Sequence, residues 1–353
     1  MNPLGHYCGN RNNNFNLLRL IAASLVIFGH SYATLGPQGV PDFIQAHMKF
    51  VSAGHIGVQI FFVISGFLVA QSFVNRPHIV EFLTARILRI FPGLLVALIF
   101  TVLLGALVTT IPVSDYFRDP RTYDYLSQNF LLNIRWELPG VFQKNSFPNV
   151  VNGSLWTLPI EFKLYLILMI FGVAGALKFR AITNVCAMLL VYFHLQKTAT
   201  YNLTGGDINV DDVVFCFLIG VLFYANREKI IISIRIAIGL ILLTAFSIHY
   251  DYYTFFTLQA CIAYLVFIFA YHEKLQVNIF RHADYSYGLY IYAFPLQQAL
   301  AQTGKFNNFE LYVTACFAVT LPFAIGSWVF IEKPALRLRD LVRKLYPLQQ
   351  KLS

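Results

Sequence analysis

The chain has 353 residues, 57% of them hydrophobic and only 12% charged, with a formal net charge of +9. Soluble domains carry roughly a quarter charged residues, so this composition excludes an ordinary soluble fold. Most Lys and Arg residues lie in short connections between apolar runs, which makes the basic balance a topology signal and argues against a nucleic-acid partner.

In chain order, apolar runs predict membrane spans at Leu17 to Leu35, Gly54 to Phe73, Ile87 to Thr110, Ile160 to Leu177 and Ile182 to Gln196. Five more follow at Asp212 to Asn226, Ile234 to Ile248, Phe255 to Tyr271, Tyr285 to Gln302 and Phe309 to Ile331. The class expected is an all-α, polytopic integral membrane protein with about ten transmembrane helices, each near the ~20 residues a bilayer requires. No small-residue cleavage site follows the first run, which therefore reads as a retained helix.

The bias of Lys and Arg sets the expected orientation, with both termini cytoplasmic. Inside connections then hold Arg76, Lys178, Arg180, Arg227, Lys229, Lys274 and Arg281. Residues 1–331 are expected to form one transmembrane domain, with 112–153 an extracytoplasmic loop. Residues 332–353, with Lys333, Arg337, Arg339, Arg343, Lys344 and Lys351, read as a basic cytoplasmic tail, a helix lying against membrane lipids. Cys8, Cys186, Cys216, Cys261 and Cys316 are scattered and read as reduced packing residues, with no metal-ligand spacing. No internal repeat is visible, and no zinc-protease, Walker or serine-hydrolase motif occurs.

Polar residues inside apolar runs carry the functional signal, because lipid makes them costly. Arg19 and His30 are eleven positions apart, close to three helical turns, so both leave one face roughly 16 Å apart along the axis. The alternative is that Arg19 snorkels to headgroups and His30 caps the outer helix end. Arg86 and Arg89, three apart and followed by Pro92, present two guanidiniums on one face, which suits phosphate oxygens. With Arg19 at the same expected depth, the three suit an anion site for a phosphorylated donor, and ordinary cytoplasmic anchoring is the competing reading.

Glu161 follows Pro159 in the first turn of a helix, with Tyr165 one turn deeper on the same face. A carboxylate at the depth of His30 suits orienting an imidazole, and a first-turn acid favoured by the helix dipole is the other reading. Ser65, Gly66 and Phe67 place small residues in an apolar span, for close helix packing or for backbone approach to a ligand. The aromatic run from Tyr285 to Pro295 reads as a membrane-interface belt or a pocket lining.

Taken together, Arg19 with His30, Ser65 to Phe67, Arg86 with Arg89, Glu161 to Tyr165, Ser286 to Pro295 and Phe330 to Pro334 resemble the motifs of the bacterial acyltransferase 3 family. The resemblance covers about Asn14 to Pro334. The sequence departs from the family pattern at Leu164, where Phe is usual, and at Ala293, where a His often stands. The resemblance implies a protein of the bacterial cytoplasmic membrane with about ten helices. It implies acyl-CoA, commonly acetyl-CoA, as cytoplasmic donor and a hydroxyl of an outer glycan, such as O-antigen, capsule or exopolysaccharide, as acceptor. Arg19, Arg86 and Arg89 are then expected to bind coenzyme A, and His30 and Glu161 to be catalytic, with His30 as base or acyl carrier. Trp156, Tyr165 and Ser65 are expected to line the acceptor site. A transporter or flippase for lipid-linked glycans using the same residues as a relay, and a non-catalytic scaffold, are the competing functions.

Overall fold

The computed structural model describes residues 2–9, 12–36, 42–48, 51–195, 208–248, 251–272, 277 and 283–345. Gln196, Lys274, Arg281 and Lys351 lie outside the described residues. The helices are α1 (Phe15–Leu35), α2 (Phe43–Met48), α3 (Ala53–Asn75), α4 (Ile79–Val108), α5 (Val113–Arg118), α6 (Pro120–Phe130) and α7 (Thr157–Val173). They continue as α8 (Arg180–Leu195), α9 (Ile208–Ala225), α10 (Ile234–Ser247), α11 (Asp251–Tyr271), α12 (Ser286–Gln302), α13 (Phe309–Ser327) and α14 (Lys333–Leu345). Among the described residues the fold is all-helical, with an isolated bridge between Pro3 and Ile231 and no strand.

Among the described residues, five helical segments are long and apolar enough to cross a membrane: Phe15–Leu35, Ala53–Asn75, Ile79–Val108, Gly153–Val173 and Phe309–Leu341. Two others, Ile234–Ser247 and Phe256–Tyr271, are apolar but shorter. The expected third span begins earlier than hydropathy suggests, because α4 opens with a polar turn in which buried Glu81 pairs with Arg76 at 3.4 Å. On α4, Leu95, Ile99, Leu103 and Leu107 are exposed at intervals of four residues. Such an outward stripe of long aliphatic side chains is what a helix presents to lipid.

The chain forms two compact units, each assembled from separated segments. The first comprises Met1–Arg19, Ile56–Phe82 and Ile160–His282. Its core holds Phe15, Phe67 and Phe267, with Phe67 and Phe267 centroids 4.6 Å apart. Here α3 and α9 cross backbone to backbone: a Cβ on Gly66 would run into the carbonyl of Phe217, and one on Gly220 would meet the carbonyl of Val63 and the amide of Phe67, the latter at 2.8 Å. Gly66 is thus a packing residue. Gly66→Ala is expected to cost about 1–3 kcal/mol, because the obstruction is backbone and cannot rotate away. A lowered unfolding midpoint in detergent checks this, and an unchanged midpoint refutes it.

The second unit comprises Leu20–His55, Leu83–Pro159 and Ala283–Ser353. Its centre is α12, buried continuously from Ser286 to Gln298. Gly288 lets α13 approach, since a Cβ there would sit 2.7 Å from the Ala324 Cα. The segment 112–153 is folded: Asp119 caps α6 by accepting from the Arg121 amide at 2.9 Å, and the Arg121 side chain grips the same carboxylate. These hydrogen bonds hold the Asp119 carboxyl below its ordinary range. Asn129 pins the following turn by contacts to Tyr125 and Arg135. Three non-glycine residues of this segment, Leu132, Phe142 and Asn149, have positive φ.

Candidate active site

Arg19 and His30 both belong to the unbroken helix α1, as their spacing predicted. In the second unit, the half of α1 carrying His30 is laced to its neighbours by buried polar bonds. Gln297 of α12 donates to the Ile27 carbonyl at 2.8 Å and to Ser31 Oγ at 2.9 Å. Thr34 meets the Tyr312 hydroxyl at 2.8 Å, and that hydroxyl donates to the Gln297 carbonyl at 2.8 Å. These bonds fix the rotation of α1, and with it the face from which His30 leaves. The imidazole stands edge-on to Phe294, with ring centroids 4.9 Å apart. Its Nδ1 is buried and has no hydrogen-bond partner among the described residues. A buried ring nitrogen left unengaged by its own fold is uncommon and calls for a chemical reason.

Arg86 and Arg89 lie on α4 in the same unit, both half-buried. Arg89 is gripped by two buried carboxylates, Asp284 at 2.7 Å and Glu332 at 3.7 Å. Its guanidinium also lies over the Tyr287 ring, 5.6 Å from the centroid. Ser327 donates to Glu332 at 2.8 Å, and Tyr287 donates to the Ile90 carbonyl at 2.8 Å. A π-helical turn, Trp328–Glu332, joins α13 to α14 and ends on Glu332. Wider turns of this kind recur where a side chain must be aimed into a site. Asp284 escapes sequence reading because it stands 195 positions from Arg89. Trp156 ends a 3-10 turn, Gly153–Trp156, capped by Asn152, and is half-buried.

The first unit joins three of the remaining expected residues. The Tyr165 hydroxyl donates to Glu161 one turn away on α7, Ser65 Oγ lies 2.9 Å from that hydroxyl, and Ser65 donates to Glu161 at 3.4 Å. A carboxylate held by two hydroxyls is fixed in orientation and spared full desolvation. Tyr165 in turn packs on Phe217, with centroids 6.3 Å apart. Sequence reading missed a second polar cluster here. Asp212 of α9 accepts from Gln59 of α3 at 2.6 Å and from Gln259 of α11, all three fully buried. The only signal for it is the polar residues themselves, one in each of three apolar helices.

Helices of membrane length and hydropathy, with ion pairs and hydroxyl-bound carboxylates buried among them, define the class of an integral membrane protein. A family model described as an acyltransferase domain matches residues 12–331, and the chain belongs to this acyltransferase 3 family. It is 28% identical over 342 residues to an "O-acetyl transferase" of Shigella phage Sf6, covering 92% of this chain and 96% of the phage protein. It is also 28% identical over 373 residues to "Nodulation protein 10" of Rhizobium leguminosarum bv. viciae, covering 96% of this chain and 97% of that protein. No solved structure matches the chain significantly. The protein is accordingly a membrane O-acyltransferase.

Proposed function

We propose that the protein transfers an acetyl group from cytoplasmic acetyl-CoA to a hydroxyl of an extracytoplasmic glycan, of the O-antigen, capsule or exopolysaccharide kind. It does so from the bacterial cytoplasmic membrane, which it crosses about ten times with both termini inside. The observation that carries this reading is His30: an imidazole on a lipid-length helix, fixed by its surroundings, with a buried nitrogen that none of the described protein groups engages. The phage relative's name supports acetyl as the group moved.

In the reaction the acceptor hydroxyl oxygen bonds to the thioester carbonyl carbon and the carbon–sulfur bond breaks. His30 takes the hydroxyl proton and delivers it to the departing CoA thiolate, so protons and charge balance. Should His30 instead carry the acyl group itself, the same atoms move in two displacements. Arg19, Arg86 and Arg89 are assigned to the phosphates of coenzyme A, to which they bring positive charge. Glu161 is the second catalytic residue, and Tyr165, Ser65 and Trp156 line the acceptor side.

Inverted membrane vesicles containing the purified protein, given acetyl-CoA labelled in the acetyl group, are expected to place label on an enclosed glycan with one CoA released per label. Glycan movement without CoA release would instead establish a flippase. Absence of both from a folded protein would establish a scaffold.

A further inference from the structure

The second unit contains a built feature that the reaction above leaves unused. Residues 145–153 return along one face of α12 and are tied to it at successive turns. Asn152 donates to the Ile291 carbonyl at 2.9 Å. Gln298 donates to the carbonyls of Phe147 at 2.6 Å and Val150 at 2.9 Å. Asn145 donates to the Gln298 carbonyl at 2.9 Å and to its Oε1 at 2.8 Å. Between these ties lies Phe294, and the strap passes so close to it that a Cβ on Gly153 would meet the ring at 2.7 Å. Asn149 holds a positive φ of 62° within the strap, and Phe142, at 54°, precedes it. Strained residues persist where surrounding bonds over-determine them, and they concentrate at ligand clamps.

This strap spends its hydrogen bonds on holding one apolar ring outward. Phe147 is 40% exposed, although its backbone is among the most tightly tied of the segment. Its ring meets Phe294 edge to face at 6.0 Å, and Phe294 meets His30 in the same manner at 4.9 Å. An exposed aromatic therefore stands one ring away from the imidazole. Gln143, Lys144 and Asn149, within four residues of Phe147 in the chain, are exposed as well.

We propose that the 145–153 strap is the acceptor-recognition element, and that the outer face of Phe147 is a stacking platform for a pyranose ring of the glycan being acylated. An exposed aromatic face in a segment that also exposes amide and amine side chains suits a sugar, whose C–H face is apolar and whose rim is polar. The proposal rests on the transfer reaction assigned above and adds the residue that seats its acceptor. It also explains why the strap is hydrogen-bonded so closely to α12: a platform that moved would not deliver a hydroxyl to one nitrogen.

The test compares wild type with Phe147→Ala and Phe147→Trp. Phe147→Ala is expected to raise the KM for the glycan about tenfold, with the KM for acetyl-CoA within about twofold, and Phe147→Trp to keep the wild-type value. Separately, the tryptophan emission that Phe147→Trp adds over wild type is expected to change saturably with water-soluble O-antigen oligosaccharides. An unchanged glycan KM in Phe147→Ala overturns the proposal. If that result comes with less protein retained in the bilayer, Phe147 is a membrane anchor. If the wild type transfers no acetyl, the reaction assignment fails. The emission titration then still decides the platform: saturable change supports it, and a flat response overturns it.

Discussion

His30→Ala is expected to reduce acetyl transfer by about 10²–10⁴-fold, the range a positioned acid–base group supplies, while leaving the protein folded. The fold survives because the bonds that orient this part of α1 run through Ser31, Thr34, Gln297 and Tyr312 and do not use the imidazole. The substitution removes the edge-on packing of the imidazole against Phe294, which contributes about 0.5–1.5 kcal/mol beyond the area it buries. A large activity loss at near-constant stability is the signature of a group used by the reaction. Rapid-quench experiments with labelled acetyl-CoA separate the two roles of His30. Label held by wild type without acceptor, and absent from His30→Ala, marks an acyl carrier; no held label with normal turnover marks a base. Activity of His30→Ala within a few-fold of wild type would remove His30 from the mechanism.

Arg89→Ala is expected to act first on stability, by about 3–5 kcal/mol, the cost of stripping a buried carboxylate of its counter-charge. Two carboxylates are affected: Asp284 is 5% exposed and Glu332 is 2% exposed. Both accept from serine hydroxyls, Ser286 and Ser327, which cannot replace a full charge. The second substitution Glu332→Gln, added to Arg89→Ala, is expected to recover part of the loss by removing one charge. Arg89→Lys is expected to rescue poorly, because a single ammonium cannot reach two carboxylates and cover the Tyr287 ring at once. Unfolding midpoints in detergent measure these differences. If Arg89→Ala matches wild type in stability and only weakens acetyl-CoA, the guanidinium belongs to the donor alone.

The contrast between these residues shows what a sequence makes legible. The shared helix of Arg19 and His30 follows from hydropathy and the helical repeat, both local properties. The Glu161–Tyr165 bond follows in the same way, since residues four apart face each other. Gly66 announced a close helix crossing, but its partner Gly220 did not announce itself, because a crossing is a relation between two faces. Of the ten expected spans, the structure bears on length and hydropathy alone: hydropathy ranks apolar runs without knowing their helical length, and among the described residues five segments reach membrane length and hydropathy as continuous helices.

By itself, the sequence determined the all-helical class, the membrane habitat, the family motifs and the single helix that holds Arg19 and His30, because each depends on composition or on spacing within one element. Only the tertiary structure decided which carboxylates neutralise Arg89, that Asp212 is shared by two glutamines, and that residues 145–153 are strapped along α12, one ring away from His30. Those pairings join residues far apart in the chain, 195 positions for Arg89 and Asp284 and further still for Arg89 and Glu332, and are selected by burial. An ionisable or amide group inside an apolar helix has to find a partner, and which partner it finds depends on how the helices pack.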